Sequence, residues 1–196
     1  MFAYIKGKLA YKEASLAIVE ANGIGYQINI PLSTYTVLGD QESCQLFTYL
    51  QVREDAHVLF GFASMLEKNV FLDLIGINGV GPSTALAALS SMSSTEIKHA
   101  IASEDVKKVQ LIKGVGAKTA QRIVLELKDK YQKEGHIIEG DKVSPSSNRV
   151  KEEALTALVT LGMAKTSAEK TLDNILKSKG NDLDLETLIK LALKTA

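Results

Sequence analysis

The sequence predicts an α+β protein of several domains, and three changes along the chain support this fold class. The first sixty residues contain short runs of β-branched and aromatic residues, which are typical of strands. From residue 64 onward, apolar residues recur at i, i+3 and i+4, which is helical spacing. A segment poor in apolar residues then precedes a second helical region. We expect a β-barrel, a helical domain, a flexible linker and a three-helix domain at 1–63, 64–134, 135–149 and 150–196.

Five runs of strand-forming residues make up the first region. The runs at 15–20 and 26–30 flank Asn22-Gly23, a dipeptide suited to the positive φ angles of a tight hairpin. Five short strands fit a closed barrel of the oligonucleotide-binding (OB-fold) type, because closure removes the edge strands. An SH3-like or split barrel is the alternative. The remaining strands are expected at 2–9, 44–52 and 57–62, with a short helix at 31–38.

The helical regions differ in how they are interrupted. Helices after residue 64 are short and broken by glycines, and Ser93 and Ser94 precede Glu96 in the manner of an N-cap. The predicted linker is rich in Gly, Ser, Pro and charge, which favours flexibility. The last region forms a minimal bundle that is marginally stable alone, with helices expected at 150–161, 164–178 and 183–193.

The composition excludes several classes of protein. A hydrophobic content of 45% argues against disorder of the whole chain, and 23 basic and 23 acidic side chains give a net charge of zero. The single cysteine, Cys44, forms neither an intramolecular disulfide nor a Cys-rich zinc site, so a reducing compartment is expected. No apolar run reaches the roughly 20 residues of a membrane helix, and the N-terminus lacks signal-peptide features. We therefore expect a cytoplasmic protein that does not associate with membranes.

An internal repeat carries the functional signal. The segment from Ile77 to Ala85 recurs from Ile112 to Ala120, and each copy contains Gly-Val-Gly between two helical stretches. Glycine adopts positive φ angles and leaves the backbone amides uncovered. Exposed N–H groups beside a helix N-terminus favour an anion, and a phosphate is the expected ligand.

A single Gly-Val-Gly copy would be interpreted as a plain turn between helices. Two copies, each with a threonine hydroxyl at the same place, favour a pair of phosphate-binding sites known as helix-hairpin-helix motifs. Such sites contact phosphates and not base edges, so binding should be independent of sequence. Neither copy matches the nucleotide-binding P-loop. The predicted DNA-binding residues are Asn78, Gly79, Val80, Gly81, Ser83, Thr84, Gly114, Val115, Gly116, Lys118, Thr119 and Arg122.

Two adjacent carboxylates occupy a predicted turn between the last two strands. Glu54 and Asp55 follow Arg53, and a polar turn is the simplest interpretation. A two-metal nuclease site would need a third acidic or histidine ligand at recognisable spacing, which is lacking, and His57 is interpreted as a structural or surface residue. We therefore predict no metal site and no catalytic residue here. Negative charge on a DNA-binding protein repels strands, which suits a site where strands are kept apart.

The order of these features resembles the RuvA family of bacterial Holliday junction branch-migration proteins. The resemblance rests on the acidic turn, Leu59-Phe60-Gly61-Phe62, both glycine hairpins, the linker and the helical tail, and it covers essentially the whole chain. It implies a homotetramer, or an octamer on DNA, that holds a four-way junction open in recombination and repair. It also implies that Glu54 and Asp55 act as an acidic pin at the junction centre.

The resemblance further implies partners but no cofactor. The C-terminal domain, UBA-like in the family, would bind the hexameric ATPase motor RuvB, and the RuvC junction resolvase is a further candidate partner. The motor-binding surface would lie around Leu158, Leu161, Met163 and Leu193, with ordinary core as the alternative. One departure is Ser83, where the family often has a lysine, so the first hairpin should contribute less to salt-dependent affinity.

Two other function classes remain open at this point. Helix-hairpin-helix motifs also occur in DNA-repair enzymes such as glycosylases and nucleases, and Lys118 and Asp129 lie near the second hairpin. Against an enzyme, tryptophan is absent and no base pocket is recognisable. An interaction scaffold that binds no DNA is the third class.

Overall fold

The computed structural model describes residues 2–139, 145–180 and 183–195, and the chain forms two compact units, Met1–Ile137 and Ile138–Ala196. Helical backbone extends into both ends of the predicted linker, because one helix continues to Glu139 and the next begins at Pro145. The rest of that predicted linker, 140–144, lies outside the described residues. The domain boundaries drawn from the sequence stay predictions.

The N-terminal region is a closed five-stranded barrel. The strands are β1 (Tyr4–Glu13), β2 (Leu16–Ala21), β3 (Ile24–Asn29), β4 (Ser43–Val52) and β5 (His57–Phe62), and helix α1 (Leu32–Leu38) joins β3 to β4. Their order is β1-β2-β3-β5-β4, antiparallel except for β3 with β5. Asn22 and Gly23 have φ angles of 52° and 80°, as the hairpin required. The prediction of an OB-like barrel is confirmed.

The barrel is closely packed at two glycines, Gly7 in β1 and Gly61 in β5. A methyl group on Gly7 would lie 2.1 Å from the carbonyl oxygen of Glu20, and one on Gly61 would lie 2.5 Å from Ile28 Cγ2. Neither position has room for a side chain. These two glycines therefore permit the curvature that closes so small a sheet.

Five helices follow the barrel and share a core with it. They are α2 (Met65–Ile75), α3 (Pro82–Ser91), α4 (Ser94–Ala102), α5 (Val106–Gln110) and α6 (Ala117–Glu139). Phe60 and Phe62 of β5 project into this core, where the ring of Phe62 lies 4.8 Å from that of Phe71 in α2. The expected N-cap is present at α4, where Ser93 and Glu96 form a capping box.

A buried carboxylate joins the barrel to these helices. Glu67, in the first turn of α2, accepts hydrogen bonds from Ser33 Oγ at 2.5 Å, Thr34 Oγ1 at 2.8 Å and the Ala63 N–H at 2.9 Å. A charged group removed from water needs such partners, and removal of one partner is costly. Barrel helix α1 is therefore fixed to α2, and the barrel and the following helices share hydrogen bonds as well as a core.

The C-terminal unit contains three helices, α7 (Pro145–Thr160), α8 (Lys165–Lys179) and α9 (Leu185–Thr195). Their apolar faces enclose a small separate core, which includes Ala154, Leu158, Leu172, Leu188 and Ala192. The expected three-helix domain is confirmed. Throughout the described ranges, the helices are too short or too polar to cross a membrane.

Candidate nucleic-acid interface

The two glycine repeats fold into equivalent turns, which we name hairpin 1 (77–81) and hairpin 2 (112–116). In each, the isoleucine and the valine are buried and hold the turn to the core. The Val80 N–H donates to the Ile77 carbonyl at 3.0 Å, and the Val115 N–H donates to the Ile112 carbonyl at 3.0 Å. Only the glycine between them needs a positive φ, 93° at Gly79 and 87° at Gly114.

The second glycine of each hairpin has no internal structural reason to be glycine. Gly81 has a φ of −90°, which any residue adopts, and Gly116 is likewise outside the positive-φ glycines. A methyl group at either position would meet no atom within 4 Å. Both are exposed, and they precede the helices α3 and α6 directly. The missing side chain leaves the backbone at two helix N-termini open to an anion from outside.

The two hairpins lie beside each other. A methyl group on Gly114 would lie 3.4 Å from Thr84 Oγ1, the hydroxyl that follows hairpin 1. Arg122 Nη1, one turn into α6, donates to the Asn78 carbonyl of hairpin 1 at 3.0 Å. Arg122 therefore links the hairpins, a contact that the sequence did not indicate, and its other N–H donors remain available to a ligand.

The charged side chains at the hairpins are unequally distributed. Lys118, in the first turn of α6, is exposed and makes no ion pair with any described residue. At the equivalent place after hairpin 1, the exposed side chain is the uncharged Ser83. Lys107 and Lys113 are also exposed near hairpin 2. Sequence reasoning missed both, although Lys113 occupies the repeat position that Asn78 holds in hairpin 1.

The acidic turn, residues 53–56, lies at the tip of the β4–β5 hairpin. The Arg53 N–H donates to the Ala56 carbonyl at 2.9 Å, which closes the turn. Glu54 and Asp55 are exposed, and neither makes an ion pair with another described residue. Within 2–139, 145–180 and 183–195, no three histidine, cysteine or carboxylate side chains are grouped to hold a metal ion. The turn thus presents two adjacent carboxylates to solvent.

The apolar residues singled out in the C-terminal domain divide between surface and core. Leu161 and Leu193 are 62% and 45% exposed, whereas Met163 is half-buried against the core. Leu158 is 0% exposed, because it faces Leu172 and Leu188 inside the bundle. Its expected place on a surface is therefore corrected, since α7 directs that position inward. Its amphipathic spacing did not distinguish core from surface.

Three family models match successive regions of the chain. Residues 1–61 match the RuvA N-terminal domain, 71–129 match the SAM-like helix-hairpin-helix tandem, and 149–196 match the RuvA C-terminal domain. The tandem match contains both hairpins, and so the duplicated motif predicted from the sequence is confirmed.

Full-length relatives agree with these matches. The chain is 53% identical over 197 residues to a protein of Cytophaga hutchinsonii and 47% identical over 195 residues to one of Christiangramia forsetii. A protein of Bacteroides thetaiotaomicron is 40% identical over 200 residues. Each alignment covers 99% of both chains, and each relative is named Holliday junction branch migration complex subunit RuvA. With all three regions matched in order and two hairpins intact, the chain belongs to the RuvA family.

Proposed function

We propose that this protein is the DNA-binding subunit of a branch-migration complex, which binds four-way junctions by shape and recruits the ATPase motor RuvB. The observation that carries the proposal is the pair of adjacent hairpins whose second glycines, Gly81 and Gly116, have open space where a side chain would be. A glycine at a position where the fold itself does not need one is explained by close approach of an external group. Because the relatives are named as subunits of a Holliday junction branch migration complex, the group that we propose is a DNA phosphate.

The hairpins account for affinity without sequence preference. Backbone N–H groups at the start of α3 and α6 bind phosphate oxygens, and Lys118 adds a charge-assisted contact at hairpin 2. Phosphates are the same at every base pair, so these contacts position the duplex and read no bases. With Ser83 in place of a cation, hairpin 1 depends on amides and hydroxyls, and its share of the salt-dependent affinity is smaller.

Selectivity for a junction comes from the acidic turn and from the assembly of four chains into a homotetramer. A homotetramer would place four copies of Glu54 and Asp55 at the junction centre, where their charge repels phosphates of strands that would otherwise stack. The same charge opposes binding to a continuous duplex, which would cross that centre. The arrangement accounts for shape-selective DNA binding by a chain whose net charge is zero. A second tetramer on the opposite face would give an octamer.

The C-terminal domain supplies the link to the motor. Leu161 and Leu193 are exposed leucines and Met163 is half-buried, and such apolar side chains suit a protein partner. In this proposal the chain has no catalytic activity of its own, and ATP hydrolysis belongs to RuvB. The RuvC resolvase is a further proposed partner at the open junction. All of these interactions take place in the cytoplasm.

A gel-shift titration at fixed salt tests the proposal. Full-length protein is titrated against a four-way junction and a linear duplex of the same base composition, with the double variant Glu54→Gln and Asp55→Asn alongside. We expect much tighter binding to the junction, and we expect the double variant to bind linear duplex more tightly because repulsion is removed. Equal affinity of the wild type for both DNAs would contradict the proposal. If the double variant has the same ratio of junction affinity to duplex affinity as the wild type, the acidic turn has only a structural role.

The enzyme alternative has its own assay. Purified protein is incubated with end-labelled junction and with duplex containing damaged bases, in the presence of Mg²⁺. The proposal predicts that every strand stays intact. Scission that co-purifies with the protein and disappears in a Lys118→Ala variant would favour a repair enzyme instead.

A further inference from the structure

The outer side of α5 carries side chains that the free protein leaves without partners. Lys107, Gln110 and Leu111 are all exposed, and their i, i+3 and i+4 spacing places them on one side of the helix and its C-cap. Lys113 follows, also exposed, in hairpin 2. Among the large apolar side chains of the described ranges, Leu111 is the most exposed, at 81%. We name Lys107, Gln110, Leu111 and Lys113 the α5 patch.

The acidic side chains near α5 are already engaged elsewhere. Glu104 pairs with Lys128 at 3.5 Å, and the Asp105 carboxylate caps α5 by accepting from the Lys108 N–H at 3.0 Å. Glu96 accepts from the Ser93 N–H at 2.9 Å and from its hydroxyl at 2.8 Å. Among the residues that the structure describes, Lys107 and Lys113 consequently have no ion-pair partner.

The intervening lysine, Lys108, faces a different way. It is half-buried, and its charge adds to the hydrogen bonds from Ser93 that lower the pKa of Glu96. Lys108 therefore lies toward α4, whereas Lys107 points to solvent on the side of Leu111. The α5 patch is a distinct surface with two unneutralised cations and one apolar side chain.

We propose that the α5 patch is a second DNA contact, in which Lys107 and Lys113 bind phosphates of a duplex arm and Leu111 packs on deoxyribose rings at the groove edge. The inference rests on the proposed function and extends it. Lys113 immediately precedes Gly114, so a phosphate bound at hairpin 2 would have this cation of the patch directly beside it. Two cations match the charge of the DNA backbone, and a leucine exposed in the free protein gains by leaving water.

The two hairpins therefore contribute unequally to the affinity for each duplex arm. Hairpin 1 has Ser83 and no added cation, whereas hairpin 2 is accompanied by Lys113, Lys118 and the rest of the patch. Most of the salt-dependent affinity therefore belongs to the hairpin 2 side. Hairpin 1 contributes mainly uncharged contacts.

Salt-dependent titrations of the full-length protein with a labelled linear duplex and a labelled four-way junction test the patch. Lys107→Ala and Lys113→Ala should each reduce the steepness of log affinity against log salt by about 0.9 for each phosphate that is no longer neutralised. Leu111→Ala should weaken binding roughly threefold to tenfold with no change in slope, because it removes apolar packing only. Leu111→Met should retain the affinity, and thermal unfolding of each variant checks the fold.

Two matched controls come from α6. Lys133 is an exposed lysine about 22 Å along the helix from Lys118, and Leu125 is an exposed leucine on the same helix. Lys133→Ala and Leu125→Ala should bind linear duplex as the wild type does. Wild-type slopes in Lys107→Ala and Lys113→Ala, with unchanged affinity in Leu111→Ala, would overturn the patch.

The same titrations separate this inference from the function on which it rests. If Lys118→Ala still flattens the salt dependence and the wild type still prefers the junction, the hairpins bind DNA and only the patch is wrong. If the wild type shows no preference for the junction, the proposed function fails and the patch fails with it.

Discussion

At the scale of single residues, the proposed function depends most directly on the cation of Lys118. It is exposed in the first turn of α6, directly after Gly116 and Ala117. Lys118→Ala should weaken binding to every DNA sequence alike and lower the salt slope by about 0.9 for each phosphate left without its cation, because in the proposed function the lysine binds the DNA backbone and no base. Fluorescence anisotropy at several salt concentrations measures both. An unchanged slope would remove Lys118 from the set of phosphate-binding residues.

Glu96 offers a residue-scale test of the fold through pH. Hydrogen bonds from the Ser93 backbone N–H and hydroxyl lower the pKa of Glu96 from its ordinary 4.5. Because the folded pKa lies below the unfolded one, the ionised carboxylate stabilises the folded state above the unfolded pKa. This contribution disappears as the pH falls through the folded value. Urea unfolding of wild type and Glu96→Gln from neutral to acidic pH should show a stability difference that shrinks in acid. A difference independent of pH would contradict the capping role.

At the scale of elements, substitutions of the two glycines of hairpin 1 should have different effects on DNA binding and on the free energy of unfolding. Gly81→Ala places a methyl group in open space at an ordinary φ, so unfolding free energy should change by less than about 1 kcal/mol while DNA binding falls. Gly79→Ala forces a φ of 93° on alanine and should cost about 1–2 kcal/mol. Chemical denaturation together with a DNA titration compares the two. Wild-type DNA binding by Gly81→Ala would show that its open space is not where the phosphate binds.

The elements also show what a sequence predicts well. The Asn22-Gly23 turn and the two Gly-Val-Gly repeats were recognisable because their backbone requirements are local. Each depends on a φ angle or an uncovered amide at one glycine. The strand runs were recognisable for the same reason, since alternation and β-branching act over a few residues.

Features that depend on tertiary contacts were not predictable. Glu67 gave no signal, because its partners Ser33 and Thr34 are more than thirty positions away in the chain. The hydrogen bond from Arg122 to Asn78 spans 44 positions. Leu158 was expected at a surface and lies in the core, because α8 and α9 cover that position of α7. Periodicity defines a face of a helix, whereas packing decides which members of that face are covered.

At the scale of the whole molecule, the core of the C-terminal helices is separate from the cores of the N-terminal unit, and this suits the proposed division of functions. The N-terminal unit, with both hairpins and the acidic turn, has a core that includes no residue of α7–α9. A protein truncated after Gly140 should therefore bind junctions as the full-length protein does but fail to stimulate the motor. Junction gel shifts and a RuvB ATPase assay measure the two properties. Failure of the truncated protein to bind junctions would mean that the functions are not divided between the units.

In the proposed function, the assembled protein holds a four-way junction open. In Mg²⁺ a free junction stacks its arms in pairs, so dyes on the ends of different arms transfer energy unequally. We expect saturating protein to equalise transfer between all adjacent arms, as in a square-planar junction with the acidic turns at its centre. A junction that is fully bound, yet keeps the unequal transfer of its stacked form, would contradict the account.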